Sequence, residues 1–367
     1  MTAYVQGYDG RGRLCMVACT AEAKQACLEK GSHIMEIGMD TITFWPEQFQ
    51  IPRSGISEEK LAMLGDYDIV EIGPTGVLYR AYSDREADTT VFLGGGCNSN
   101  CIMCPASDLE RKKAFSYTEE QVLRFIDYLP DRLEYLVITG GEPTLKPQLF
   151  LRALERIQGK FLHTNVLLLT NGRSLSNQQF CTETLKRIPQ NFRVAIPVHA
   201  AEESLHDRIT RVPGSHKQTL RAVELLLAAG VDVEIRIVVN QVNAPHLFDI
   251  ARLIVNRFSK VTCVNFVALE PRGNCAKDLD HVFINYDDSF MSARQSIDYL
   301  VGHGIDVGLY NYPLCYIDRN YWGIAARSIS KYKNRFMPDC KDCSVSSICP
   351  GFFTVATKLL KPSVFPM

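Results

Sequence analysis

From residue 89 onward, short apolar runs alternate with stretches whose hydrophobic positions recur every three or four residues. The runs TTVFL (89–93), EYLVIT (134–139), NVLLLT (165–170), FRVAIPV (192–198), VEIRIVV (233–239) and VTCVNFVAL (261–269) predict strands. They are near-continuously apolar, as parallel strands covered on both faces are. The segments beginning near SYTEEQVLRFIDYL, QLFLRALERI, NQQFCTETLKRI, KQTLRAVELLLAAG, HLFDIARLIVNRF and DSFMSARQSIDYL predict amphipathic helices. Ser116 or Thr118 supplies an N-cap ahead of acidic residues, and Gly230 supplies a C-terminal stop. Successive right-handed βα units make a parallel sheet, and six rather than eight predict an α/β fold with a partial (β/α)6 barrel of the TIM kind over residues 89–304. Residues 1–88 carry shorter β-prone pieces, TITFW and GVLYRAY among them, broken by Gly, Pro and charge, and predict a small β-rich N-terminal domain. After about residue 304 the rhythm stops, so 305–367 is expected to be an irregular, Cys-rich extension that wraps something other than a large core.

Composition narrows the class. The 367 residues are 46% hydrophobic and 22% charged, with 40 Lys plus Arg against 41 Asp plus Glu. That balance supplies no basic field for a nucleic-acid backbone or an anionic membrane. The first residues lack a basic start followed by an apolar stretch, and no run reaches 18 apolar residues, so a soluble, cytoplasmic chain is expected. Thirteen cysteines in a reducing compartment are not read as structural disulfides. Six fall in two groups, Cys97/Cys101/Cys104 and Cys340/Cys343/Cys349, a distribution suited to metal ligation. Cys15, Cys19 and Cys27 read as ordinary thiols.

The first group, in LGGGCNSNCIMCPAS, has the spacing C-x3-C-x2-C and follows the first barrel strand, on the rim where barrel enzymes do their chemistry. Three thiolates on one loop suit a 4Fe-4S cube with one iron left open, whereas a closed structural zinc site takes four protein ligands; zinc completed by a distant residue is the alternative. The second strand ends in LVITGGEPTL, which puts Gly140, Gly141, Glu142 and Pro143 on the same rim. Together the two motifs resemble the radical S-adenosylmethionine (SAM) superfamily. The resemblance implies that Cys97, Cys101 and Cys104 carry the cluster, that SAM chelates the open iron, and that the Gly140–Glu142 backbone accepts from the SAM amino group. It extends to Thr170, Asn171 and Gly172 near the SAM ribose. Arg236 reaches the SAM carboxylate or, equally, makes a barrel-lining ion pair. His199 follows strand four, where relatives often have a small polar residue; a lone histidine there is more often structural than catalytic. Met103 stands where many relatives carry an aromatic residue, and Leu269–Gly273 departs from the usual adenine contact.

The second group, C-x2-C-x5-C, lacks the paired knuckles of a zinc ribbon. It is similar to the auxiliary-cluster extensions of peptide-modifying radical SAM enzymes, which implies one auxiliary 4Fe-4S cluster on Cys340, Cys343, Cys349 and a fourth ligand, Cys315 or the competing Cys275. A zinc staple for the tail is the alternative. GGGCNSNCIMCP, VEIRIVVN, VALEP and the PLC…CKDC…CPGFF tail further resemble the radical SAM maturase of His-Xaa-Ser repeat protein systems, from about residue 66 to the C-terminus. That resemblance implies reductive cleavage of SAM to a 5′-deoxyadenosyl radical and hydrogen abstraction from a ribosomally made peptide or small protein with His-Xaa-Ser repeats. It also implies an electron donor of the flavodoxin or ferredoxin type and a paired second radical SAM protein. The competing readings are a radical SAM enzyme acting on a small molecule or cofactor precursor, and a non-catalytic interaction protein stabilised by zinc.

Overall fold

The computed structural model describes residues 1–112, 118–327, 334–360 and 362–367, with two main sheets. The first sheet has seven strands: β1 (Thr2–Tyr4), β2 (Arg13–Ala18), β3 (Ile34–Ile37), β4 (Thr41–Trp45), β5 (Phe49–Pro52), β6 (Ile69–Ile72) and β7 (Val77–Tyr82). Their order is β1-β7-β6-β2-β3-β4-β5. Every pairing is antiparallel except β2 with β3, and helix α1 (Ala21–Glu29) makes that parallel crossover. Thr20 caps α1 through its hydroxyl. Alternation along the strands gives the sheet two buried faces. Val17, Met35, Phe44, Val70 and Leu78 fill one, closed by the short helix α2 (Glu58–Leu61) through Leu61, while Met16, Ala18 and Ile34 take the underside of α1.

The second sheet has eight parallel strands in sequence order: β8 (Asp88–Phe92), β9 (Tyr135–Thr139), β10 (Asn165–Leu169), β11 (Phe192–Pro197), β12 (Asp232–Val238), β13 (Cys263–Val267), β14 (Asp306–Tyr310) and β15 (Ala325–Ala326). It is the curled α/β half-barrel expected from the six apolar runs, extended by two strands. The rhythm therefore continues past residue 304. β14 pairs in parallel with β13 and was not foreseen, because it is five residues long with a glycine at its centre. A Cβ on Gly308 would lie 2.3 Å from Asn265 Oδ1 on the neighbouring strand, so a larger residue there would displace the Asn265 side chain.

The helices between the strands are α3 (Asp108–Lys112), α4 (Glu119–Tyr128), α5 (Pro147–Lys160), α6 (Gln178–Leu185), α7 (Glu203–Thr210), α8 (Ser215–Ala228), α9 (Leu247–Arg257), α10 (Asn274–Lys277), α11 (Leu279–Val282) and α12 (Tyr286–Gly302). Thr118 caps α4 in a reciprocal capping box with Gln121; Ser116, the other candidate, lies outside the described residues. Gly230 follows α8 at φ 73°, and Val231 N–H returns to Leu226 O, so the glycine stop has its left-handed geometry. The amphipathic stripes of α4, α5, α8, α9 and α12 bury Ile126, Phe150, Leu154, Val223, Ile254 and Ile297 against the strands. Tyr128 of α4 meets the first sheet, its hydroxyl accepting from His33 N–H at 2.7 Å, and Arg132 pairs with Asp84 at 2.8 Å. Beyond β15 the tail forms a small ladder of β16 (Asn334–Arg335) with β17 (Phe352–Phe353) and a last helix, α13 (Thr354–Leu359). Among the described residues no helix is long and apolar enough to cross a membrane.

Candidate active site

Because the eight strands are parallel, their C-terminal ends share one rim, and the first cysteine loop lies across it. Leu93 N–H continues the β8–β9 ladder to Thr139 O, and then Gly141 and Glu142 donate to Gly94 O and Gly96 O, each at 2.8 Å. The two glycine segments are thus pressed backbone to backbone. A Cβ on Gly140 would lie 2.6 Å from Gly94 O, and one on Gly141 would lie 2.2 and 2.4 Å from Gly95 O and Gly96 O. Glycine is obligatory at both positions because the cysteine loop occupies the space a side chain would fill.

The Glu142 carboxylate is buried and accepts from Thr144 N (3.0 Å), Thr144 Oγ1 (2.6 Å), Thr170 Oγ1 (2.6 Å) and Asn171 N (2.7 Å). It ties the end of β9 to the end of β10, while Pro143 opens a turn over 143–145 in which Pro143 and Thr144 are buried. Asn171 passes the connection to the cysteine loop, donating through Nδ2 to Asn98 Oδ1 at 2.7 Å. Arg173 Nη1 donates to Asn98 O and, at 3.1 Å, to Ser99 Oγ, while its Nε donates to Gln218 of α8 at 2.7 Å. The side chains of Thr170 and Asn171 are therefore engaged in holding the loop.

Two further elements grip its middle. Asn100 N–H and Ile102 N–H donate to Thr210 O (3.1 Å) and Ile209 O (2.9 Å) at the end of α7. After β13, Asn274 N–H donates to Cys104 O at 2.9 Å, and its Nδ2 donates to Asn100 Oδ1 (2.8 Å) and Cys101 O (2.9 Å). Gly273, at φ 60°, lets this turn approach, since a Cβ would lie 2.3 Å from Cys104 O. Met103 and Leu269, the latter opening the departing segment Leu269–Gly273, are buried together with Cys275 beneath the loop. Asn98, Arg111, Arg173 and Asn274 were not singled out in the sequence. The signal available was their adjacency to the cysteines, to Thr170-Asn171-Gly172 and to Gly273.

The three thiols fit an iron–sulfur cluster by their donor chemistry. Burial pushes the Cys97 thiol up and Cys101 up to about 12, and the neighbouring thiols add to the effect, so a strong cation is needed to hold them as thiolates. Donors are already aimed at the sulfurs: Ser99 N–H at Cys97 Sγ (3.3 Å), Asn171 Nδ2 at Cys97 Sγ (3.9 Å) and Arg111 Nη1 at Cys104 Sγ (3.4 Å). Such N–H groups are the usual outer shell of ligating thiolates. Among the described residues no three His, Cys, Asp or Glu converge closely enough for a single metal ion; a cube with irons at separate corners spreads its thiolates further.

Two other candidates on the rim sit differently. Arg236 lies within β12 and pairs with buried Glu234 at 2.5 Å, its guanidinium 5.6 Å from the Tyr310 ring centroid, which is the barrel-lining arrangement. His199 is buried after β11, 5.4 Å from the ring of His206, which is 5.3 Å from that of His216. Burial pushes His199 down to about 4 and, with the fields of His199 and His216, His206 to about 2, so both stay neutral. Asp207 accepts from Gly214 N–H, Ser215 Oγ and His216 N–H and fixes the corner between α7 and α8.

The tail cysteines gather beyond β14. Cys315 lies in a turn over Leu314–Tyr316 and Cys340 in one over Pro338–Asp342. Burial raises the Cys315 thiol, and the fields of Cys349 and Cys340 add to it; Cys340 is likewise raised by burial and then by Cys349 and Cys343. Cys349 Sγ accepts from Leu314 N–H and Gly351 N–H, each at 3.4 Å. Cys275 is apart from this group, beneath the first loop.

Residues 91–254 match the family model described as Radical SAM superfamily, so this stretch is a radical SAM domain, and such domains use a 4Fe-4S cluster and SAM. An AdoMet-dependent heme synthase of Methanosarcina barkeri is 27% identical over 164 residues, 44% of this chain and 45% of that protein. The mycofactocin maturase MftC of Mycobacterium ulcerans is 31% identical over 162 residues, 43% and 41% of the two chains. The antilisterial bacteriocin subtilosin biosynthesis protein AlbA of Bacillus subtilis is 27% identical over 193 residues, 52% and 41%. The matches span less than half the length of each of these relatives.

Proposed function

We propose that this chain, built on a radical SAM domain, is an enzyme that modifies a ribosomally made peptide or small protein, with His-Xaa-Ser repeats as the substrate motif. The observation that carries the proposal is the rim loop bearing Cys97, Cys101 and Cys104, clamped by the Gly140–Glu142 segment, Arg173, the end of α7 and Asn274, with N–H donors already aimed at two of its sulfurs. The three cysteines would hold the 4Fe-4S cluster, and the backbone of Gly140, Gly141, Thr170 and Asn171 would line the SAM side of the rim. When bound, cluster and SAM supply one-electron removal of a hydrogen atom from substrate carbon, driven by a reductant of the flavodoxin or ferredoxin kind. The chain's own part is rigidity: buried Glu142 locks two strand ends, and the glycine contacts leave the loop one position. In the tail, Cys315, Cys340, Cys343 and Cys349 would hold an auxiliary cluster whose four cysteines leave no open iron, suiting it to electron transfer. The relatives that support a peptide substrate are the mycofactocin maturase and the subtilosin biosynthesis protein.

The heme synthase relative favours a second reading, in which the substrate is a tetrapyrrole or a comparable cofactor precursor. Anaerobic reconstitution followed by iron and sulfide analysis tests the shared premise, and a colourless zinc protein would end both readings. The reduced protein is then incubated with SAM and, separately, with a His-Xaa-Ser repeat peptide or a tetrapyrrole. Release of 5′-deoxyadenosine with a mass change in the peptide supports the proposal, and a change confined to the tetrapyrrole rejects it.

A further inference from the structure

Helix α3 follows the cysteine loop directly, and both of its acids are taken up by cations beyond β13: Glu110 by Arg272, and Asp108 by Lys277 at 2.8 Å. Glu110 also accepts from Ser107 N–H at 2.6 Å, which fixes the start of the helix. The turn so anchored delivers Arg111 onto the loop. Its Nη1 lies 3.4 Å from Cys104 Sγ, and its Nη2 donates to the carbonyl of Ser99, midway between Cys97 and Cys101. The other donors to these sulfurs, Ser99 N–H and Asn171 Nδ2, are neutral. Cys97 feels the negative charge of Glu142 and the positive charge of Arg111, which act on its thiol in opposite senses.

A cluster on three thiolates gains one negative charge when it takes up an electron, and no protein bond changes. A charged donor in contact with a ligating sulfur therefore stabilises the reduced form more than the oxidised one and raises the reduction potential. The planar fork of arginine also holds sulfur and carbonyl in one fixed geometry, which the flexible single-nitrogen head of a lysine does not reproduce. We propose that Arg111 is a positioning residue that sets the reduction potential of the Cys97/Cys101/Cys104 cluster through its contact with Cys104. The inference rests on the cluster reading above.

The test is a potentiometric titration, with dithionite as one-electron donor and electron paramagnetic resonance as readout, of anaerobically reconstituted protein in which the tail cluster is removed by Cys343→Ala. Arg111→Gln and Arg111→Lys are compared with Arg111 in that background at equal iron content. The expected result is a midpoint potential that falls in Arg111→Gln and falls less in Arg111→Lys. An unchanged midpoint in Arg111→Gln overturns the proposal. So does an equal fall in both variants, which would assign the effect to displacement of the loop. Should Arg111→Gln fail to retain iron, retention in Arg111→Lys supports a requirement for the cation, and equal loss there overturns it. Failure of the cluster reading itself shows earlier, as a parent protein without iron and sulfide.

Discussion

Glu142 has four hydrogen bonds on one buried carboxylate, and all four point inward to Thr144, Thr170 and Asn171. Glu142→Gln keeps the shape but turns an N–H2 toward donors. It should therefore cost about 1–3 kcal/mol in denaturant unfolding, with iron retention falling in parallel. Thr170→Val, which removes one of the four donors, should cost less. A Gly141→Ala change meets carbonyl oxygens at 2.2 and 2.4 Å that cannot rotate away. Its expected outcome is loss of iron after reconstitution, with at least the 1–3 kcal/mol typical of overpacking. These two residues show what was legible at this scale. The motif itself stood out in the sequence, but the structural reason for its glycines did not: the backbone of Gly94–Gly96 fills the space a side chain would need. No single chain reveals which distant backbone a glycine must admit, and the same blindness hid Asn274, whose partners Asn100 and Cys101 are more than 170 residues away.

Between elements, the corner from α7 to α8 is where the fold reaches the cysteine loop. Gly214 begins α8 without a side-chain cap, and Asp207 of the preceding helix supplies one by accepting from Gly214 N–H, Ser215 Oγ and His216 N–H. Asp207→Ala should destabilise the protein by about 1–2 kcal/mol, the range for a lost cap. The loop's bonds to Ile209 O and Thr210 O hang from the same corner, so iron retention should fall as well, as a ferrozine assay after gel filtration would show. Strands β8–β13 and helices α4, α5, α6, α8, α9 and α12 were readable because period and apolar content agree over long windows, whereas α3, α7, α10 and α11, of four to eight residues, are too short to show a period. β14 and β15 were not readable either, for opposite reasons. β14 carries Gly308 at its centre, which breaks the β-prone pattern, and β15 is two residues long, set by pairing to Tyr310 rather than by its own sequence. The N-cap at Thr118 was readable as a local pattern, whereas the cap at Asp207 was not, because it reaches seven residues forward.

For the whole molecule, acid response and the division between two cysteine groups follow from what the fold encloses. His199 and His206 are neutral when folded, with values near 4 and 2 against an ordinary 6.5. Above pH 6.5 neither state is protonated at these rings, so they add no pH dependence. As pH falls below 6.5 the unfolded chain binds protons that the folded one refuses, and stability declines; the His199 share of the decline ends near pH 4, where that ring titrates in place, and the His206 share continues to about pH 2. Asp207, adjacent to His206, opposes part of this by favouring the charged ring. Thermal unfolding should show Tm dropping between pH 6.5 and 4, and His199→Asn should flatten that drop; an equal slope in the variant would remove His199 from the account. The two cysteine groups occupy different parts of the chain, Cys97–Cys104 after the first barrel strand and Cys315–Cys349 beyond the seventh, where Cys349 takes N–H donors from Leu314 and Gly351. The tail turns are held by the ladder of β16 with β17, by Trp322 Nε1 donating to Leu314 O and by Phe352 packed on Tyr286 of α12, none of them a residue that clamps the rim loop. Removing one tail thiol should therefore leave the rim site standing. Cys343→Ala is expected to retain part of the iron and to release 5′-deoxyadenosine from SAM while yielding no modified substrate, whereas Cys97→Ala should do neither. If Cys343→Ala kept its native circular-dichroism spectrum and Tm yet lost SAM cleavage as completely as Cys97→Ala, the tail would be part of the cleavage site and the division would fail.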